Sequence, residues 1–206
     1  MLLSETCLII ANFVILISYY VTIVMALFLK MLFHLILSPS RGWEDVVQYD
    51  PDPRRLMTSG LYPVFAMAAV SVFIVGFYDP ALTFVGLLQR AIITYVQYFI
   101  SYYIAQFVFA MFIRRYVSDG EVSDDRIGVF ISIGLGLLAV LAVIMNCLPV
   151  ELSLVQFLPV YVAVILWKGA PYLNVRDDKM NQFVILSVAS IIAPVYLLAL
   201  LNLLLN

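Results

Sequence analysis

Two acidic pairs, Asp124-Asp125 and Asp177-Asp178, are the residues best placed by type to do chemistry in this chain. Adjacent carboxylates can hold a divalent cation against a substrate phosphate. Each pair, however, lies beside Arg or Lys in a polar stretch just before an apolar run. That placement predicts helix caps instead, Asp125 ahead of Ile127 and Asp178 ahead of the last helix. The one histidine, His34, and the two distant cysteines, Cys7 and Cys147, cannot make a zinc set or a disulfide framework. All three are expected in membrane packing or at an interface. No phosphate-cradling glycine loop, HExxH or GxSxG elbow is present. No catalytic residue, metal or cofactor is expected, and no enzymatic activity.

Tyr95, Tyr98 and Tyr102 are the other constellation. Their i, i+3, i+7 spacing puts them on one helix face, with Gln106 one turn beyond Tyr102 and Gln97 nearby. A polar seam inside an apolar helix can line a solute path. It can equally join helices by hydrogen bonds. The first option defines a channel or small-solute permease as the alternative function. The second is favoured, because the crossing segments carry no Asp, Glu or Lys and only Arg90 near an end. Ion-coupled transport usually needs such a charge.

The medium that positions these residues is lipid. The chain has 206 residues, 65% of them hydrophobic and 12% charged, with a mean hydropathy of +1.07. Soluble domains are about half apolar and a quarter charged. With a net charge of -2 and no basic stripe, nucleic acid is not an expected partner.

The predicted fold is an all-α integral membrane protein in one domain. It has five core transmembrane helices over 56–78, 92–113, 127–147, 152–167 and 183–205. An additional apolar helix over 7–29 precedes them, with two alternatives: a signal peptide, or a natural start at Met25 that leaves Lys30 and His34 on an interfacial anchor. Leu37-Ser38-Pro39 ends that first helix. Ser38 as cap and Pro39 at the first helical position then open a short amphipathic surface helix over 38–48. Trp43, Val46 and Val47 form its apolar side, with Trp43 at headgroup level and Glu44 and Asp45 facing away. Asp52-Pro53 repeats the cap-plus-proline start. The long run from Ala81 to Ile113 is split near Ala91, so that Arg90 can reach the surface. Pro159 is expected as a kink, Pro63 in the first turns of its helix and Pro194 inside the last one.

The basic residues test this layout. Lys30, Arg41, Arg54 and Arg55 precede the 56–78 helix; Arg114, Arg115 and Arg126 follow the 92–113 helix; Lys168, Arg176 and Lys179 precede the last. Only Arg90 of the eleven basic residues lies toward the other side. The turns at Asp79-Pro80 and Pro149-Val150 hold none. The positive-inside rule then places the three basic regions in the cytoplasm and the C-terminus outside.

Two stretches carry a resemblance. The first runs from Leu35 through Ser38, Pro39 and Trp43 to Tyr62-Pro63. The second runs from Leu158 to Val184 and contains Tyr161, Leu166, Gly169, Pro171 and Asp178-Lys179. Together they resemble the bacterial form of the YIP family, the Ypt/Rab-interacting membrane proteins. The resemblance covers about a quarter of the chain closely. It implies a cytoplasmic N-terminal segment and five spans in the inner membrane, and the apolar run before Met25 departs from it. Eukaryotic relatives bind small GTPases in vesicle traffic, but the short N-terminal segment here gives no ground to carry that over. The implied role is non-enzymatic, through membrane lipids, a membrane-protein partner or a homo-oligomer. Ser38, Pro39, Trp43, Pro63, Gly169, Pro171, Asp178 and Lys179 form the candidate partner site.

Overall fold

A computed structural model describes residues 2–117, 122–148 and 157–205, with side chains over 18–117, 122–148 and 157–201. The fold is an all-α membrane bundle, and five of the described helices are long and apolar enough to cross a bilayer. We number them with the shorter ones in chain order. Helix α1 covers Leu2–Leu37 and α2 covers Pro39–Tyr49. Helix α3 covers Pro53–Val75, α4 Phe84–Phe112 and α5 Asp124–Cys147. The shorter α6 covers Leu158–Lys168. The last, α7, joins Met180–Ser187, a wide π turn Val188–Ile192 and Ala193–Leu205.

Helix α5 is the centre. Every residue from Ile127 to Leu141 is buried. A helix that is apolar all round belongs inside a bundle, and α3, α4, α6 and α7 pack around this one. Its glycines permit the close approach. A β-carbon on Gly134 would stand 2.9 Å from Ile191 Cγ2, and one on Gly136 would stand 2.7 Å from Phe28 Cζ. Small residues do the same work in membrane helix pairs generally. Helix α1 is peripheral, packing mainly on α2 and on the first turns of α3.

Several predicted boundaries differ. The apolar run from Ala81 is not split at Ala91: α4 is continuous from Phe84 to Phe112, started by Thr83, whose hydroxyl accepts from Gly86 N at 3.2 Å. Arg90 needs no break, because an exposed position on an unbroken helix already reaches the surface. Helix α1 begins at Leu2 and runs to Leu37, beyond both ends of 7–29. Helix α3 covers Pro53–Val75, not 56–78; Asp52 caps its start by accepting from Arg54 N at 3.0 Å, as the Asp52-Pro53 pair predicts. Helix α5 starts at Asp124, with Ser123 as its cap in place of Asp125. Asp178 caps nothing: it lies in a 3-10 turn over Asp177–Lys179 and pairs with Arg176 Nε at 3.4 Å. Pro159 is in the first turn of α6, where a missing N–H costs nothing, so it is no kink. Of the predicted 152–167 helix, Leu152 to Gln156 lie outside the described residues, as do Pro149 and Val150 and the loop residues Ser118 to Glu121.

Both internal prolines follow a π turn. Pro63 comes after Leu56–Leu61 and Pro194 after Val188–Ile192. A proline ring clashes with the carbonyl four residues back. One wider turn relieves that clash without breaking the span.

Candidate functional site

The two ends of the bundle differ in chemistry. At one end Tyr78 Oη donates to Cys147 O at 3.1 Å, and Asn146 Nδ2 donates to Ser71 Oγ at 2.9 Å. At the other end the basic stretches meet. Arg176 N donates to Tyr116 O at 3.0 Å, and Val117 pairs with Val175. The Arg126 guanidinium lies 5.6 Å from the centre of the Tyr172 ring. Tyr172 in turn packs on Trp43, with ring centres 5.4 Å apart.

Trp43 is the keystone of this end. It is 4% exposed, packed between helices and not on an outer face of α2. The indole Nε1 donates to Ile165 O at 2.8 Å, in the last turn of α6, and the ring stacks on Phe130 at 5.3 Å. The periodicity of α2 misled because its buried face is Gly42, Trp43 and Val46, while Val47 is 53% exposed. Gly42 presses on Leu35, 2.8 Å from its Cα to a β-carbon built on the glycine. Helix α2 is thus folded back onto α1 and clamped under α6. Tyr161 Oη adds a second clamp, donating to Ile36 O at 2.7 Å in the last turn of α1, where helix carbonyls lack partners of their own.

The residues quoted for the resemblance therefore divide. Trp43 and Gly169 meet in one junction, Tyr161 ties the same helix α6 to the end of α1, and Leu166 packs toward Gly134 of α5 instead. Ser38 begins α2 but makes no side-chain cap bond, and Pro39 follows it. Pro63 lies inside α3 after the π turn, and exposed Pro171 lies in a 3-10 turn ending at Asn174, which is left-handed at φ 53°. Asp178 and half-buried Lys179 lie in the next turn, and Lys179 has no ion-pair partner among the described residues.

The tyrosine seam is packed. Tyr98 is 2% exposed, donates to Leu138 O at 3.0 Å and stacks on Phe65. Tyr102 Oη accepts from Gln106 Nε2 at 2.9 Å. Tyr95 is half-buried and stacks on Phe99.

A groove escaped the sequence reading. It has a volume of about 990 Å³ and lies between α1 and the corner where α2 meets α3. Ile23, Val24 and Leu27 give it an apolar floor, while Lys30, Asp45 and Asp50 are among its polar walls. His34 and Asp45, both on its lining, pair Nδ1 to Oδ2 at 2.6 Å, with Asp45 exposed on the polar side of α2. Lys30 and His34 share a helix face, which was readable; the return of α2 against that face was not.

Among the described residues no three His, Cys, Asp or Glu side chains converge as a metal site would require. Cys147 is a free, exposed thiol, and the Cys7 side chain lies outside the described residues.

Fold and site together define a multi-pass helical membrane protein with one basic end. No family model matches the chain, and neither curated proteins nor solved structures give a match.

Proposed function

We propose that this chain is a non-enzymatic, multi-pass protein of a bacterial inner membrane that acts through lipid or protein partners, as the resemblance to the YIP family implies. The junction of Trp43 with Gly169 carries the reading. Trp43 and Tyr161, both behind the resemblance, are used for packing and backbone hydrogen bonds, at 2.8 Å from Trp43 and 2.7 Å from Tyr161. The outcome is a basic end tied together by packing and backbone bonds beside a groove, which suits a docking surface. The second and third basic regions are joined there by Arg176 to Tyr116 and by Arg126 to Tyr172, and Trp43, from the first, packs on Tyr172, which supports one common, cytoplasmic side for them. The C-terminus is then outside. Burial of Tyr98 against Leu138 favours packing over a tyrosine-lined solute path.

The test uses purified full-length protein in liposomes. No flux is expected for a broad solute panel, and no turnover of lipid headgroups. Flux abolished by Tyr98→Ala would establish the permease instead. Turnover abolished by Asp178→Asn or Lys179→Ala would establish an enzyme.

A further inference from the structure

We propose that the groove between α1 and the α2–α3 corner holds one bilayer phospholipid whose headgroup ends in a primary ammonium. This rests on the reading of the chain as a protein that works through lipid partners, and it names the lipid class.

The polarity of the groove runs along α1 in the order of a phospholipid. Ile23, Val24 and Leu27 come first and Lys30 and His34 follow, one and two turns nearer the basic end. This part of α1 belongs to the apolar segment Ser18–Leu37, which is long enough to cross a bilayer. The floor thus lies at acyl-chain depth and the polar wall at headgroup depth. Ile23 and Leu27 are 42% and 45% exposed. A wholly polar occupant would leave them uncovered. A wholly apolar one would strip water from Lys30 and Asp50 without repayment. The volume, about 990 Å³, is at the top of the usual range for small-ligand sites, roughly 300–1,000 Å³. It has room for a headgroup, a glycerol and the first part of the chains.

Charge narrows the headgroup. Arg55 Nε is 3.3 Å from Asp52 Oδ2, and His34 is paired with Asp45. Among the described residues, Lys30 and the Asp50 carboxylate have neither an ion-pair partner nor a hydrogen bond. One unpaired cation and one unpaired carboxylate suit a headgroup with a phosphate and a cation of its own. A primary ammonium brings three N–H donors for the carboxylate, whereas a quaternary ammonium brings none. An anionic headgroup without a cation would leave Asp50 unpaired, beside Asp45 and Asp52.

The experiment is native mass spectrometry of the full-length protein with equal parts of phosphatidylethanolamine, phosphatidylcholine and phosphatidylglycerol. One phosphatidylethanolamine per chain is expected, retained at least about fivefold over either competitor, a difference of about 1 kcal/mol at the Asp50 contact. Asp50→Asn keeps a residue that tolerates the left-handed φ of 40° there. It should bring the ethanolamine-to-choline ratio near one. Lys30→Gln should reduce retention of both. No retained lipid, equal retention by the wild type, a preference for phosphatidylglycerol, an unchanged ratio in D50N, or a second copy of the chain in place of lipid each overturns the proposal. The wild-type ratio decides even where a variant misfolds. A failure here leaves the absence of flux and turnover standing, whereas flux or turnover defeats the wider reading whatever the groove holds.

Discussion

Trp43 fills the space that a side chain on Gly169 would need. A β-carbon there would lie 2.9 Å from the indole Nε1, and nearer still to Cε2 and Cζ2. Gly169 has an ordinary φ of -83°, so space and not backbone freedom calls for glycine. The indole cannot retreat easily, being bonded to Ile165 O, stacked on Phe130 and packed against the tilted Tyr172 ring. Gly169→Ala should therefore destabilise the protein by about 1–3 kcal/mol, the usual cost of overpacking. Trp43→Leu in the same chain should recover part of that loss, a coupling that thermal unfolding in detergent can measure as a double-mutant cycle. Simple addition of the two single losses would show that the contact does not carry the effect.

Tyr98 joins α4 to α5 through its hydroxyl and the Leu138 carbonyl. Such bonds between membrane helices are worth about 0.6 kcal/mol on average and at most about 1.7. Tyr98→Phe should cost that much in unfolding by detergent titration, with solute flux in liposomes unchanged from a low background. A loss above about 2 kcal/mol would point to a role beyond this one bond.

The fold was legible where composition and punctuation speak. Apolar runs and the charge pattern gave helices and a basic end; Ser38-Pro39 and Asp52-Pro53 marked helix starts. What stayed hidden depends on partners distant in sequence. Trp43 read as an interfacial residue because its burial is decided by α6, which begins more than a hundred positions later. Asp125 and Asp178 read as caps, yet Ser123 took one end and Arg176 drew Asp178 to itself. The groove exists only because α2 turns back on α1, and no periodicity within either helix records that turn.

Ser132 offers a test of the central helix. Its hydroxyl is buried, and among the described residues it has no hydrogen-bond partner. An unsatisfied buried polar group costs about 1–3 kcal/mol. Alanine removes the hydroxyl, adds no volume and is the better helix former. Ser132→Ala should raise the melting temperature, with a gain of about 1 kcal/mol. A clear loss would mean that the hydroxyl has a partner in the membrane.

The two ends of the bundle can be told apart with thiol reagents. Cys147 is exposed at the end that lacks the basic cluster, near Tyr78. In a Cys7→Ser chain, a membrane-impermeant maleimide added to intact cells should label Cys147. In a chain without either native cysteine, Asp124→Cys should be labelled only after lysis. The opposite pattern would invert the orientation.

Tyr172 predicts an alkaline limit to the junction. Burial pushes its phenol up to about 12; the nearby Arg126 cation works against this, and Asp50 and Asp125 add to the rise. The ordinary value is about 10. A folded-state value above the unfolded one leaves this contribution intact below about pH 10. It is lost between about pH 10 and about pH 12, as the unfolded chain gives up a proton that the folded chain keeps. Trp43 packs on this ring, so its fluorescence reports the change. In a Trp167→Phe chain, which leaves Trp43 as the single tryptophan, the emission should hold steady to about pH 10 and shift above it. Tyr172→Phe should move that shift to higher pH, because Phe has no proton to lose. An unchanged alkaline transition in the Phe variant would assign it to another group.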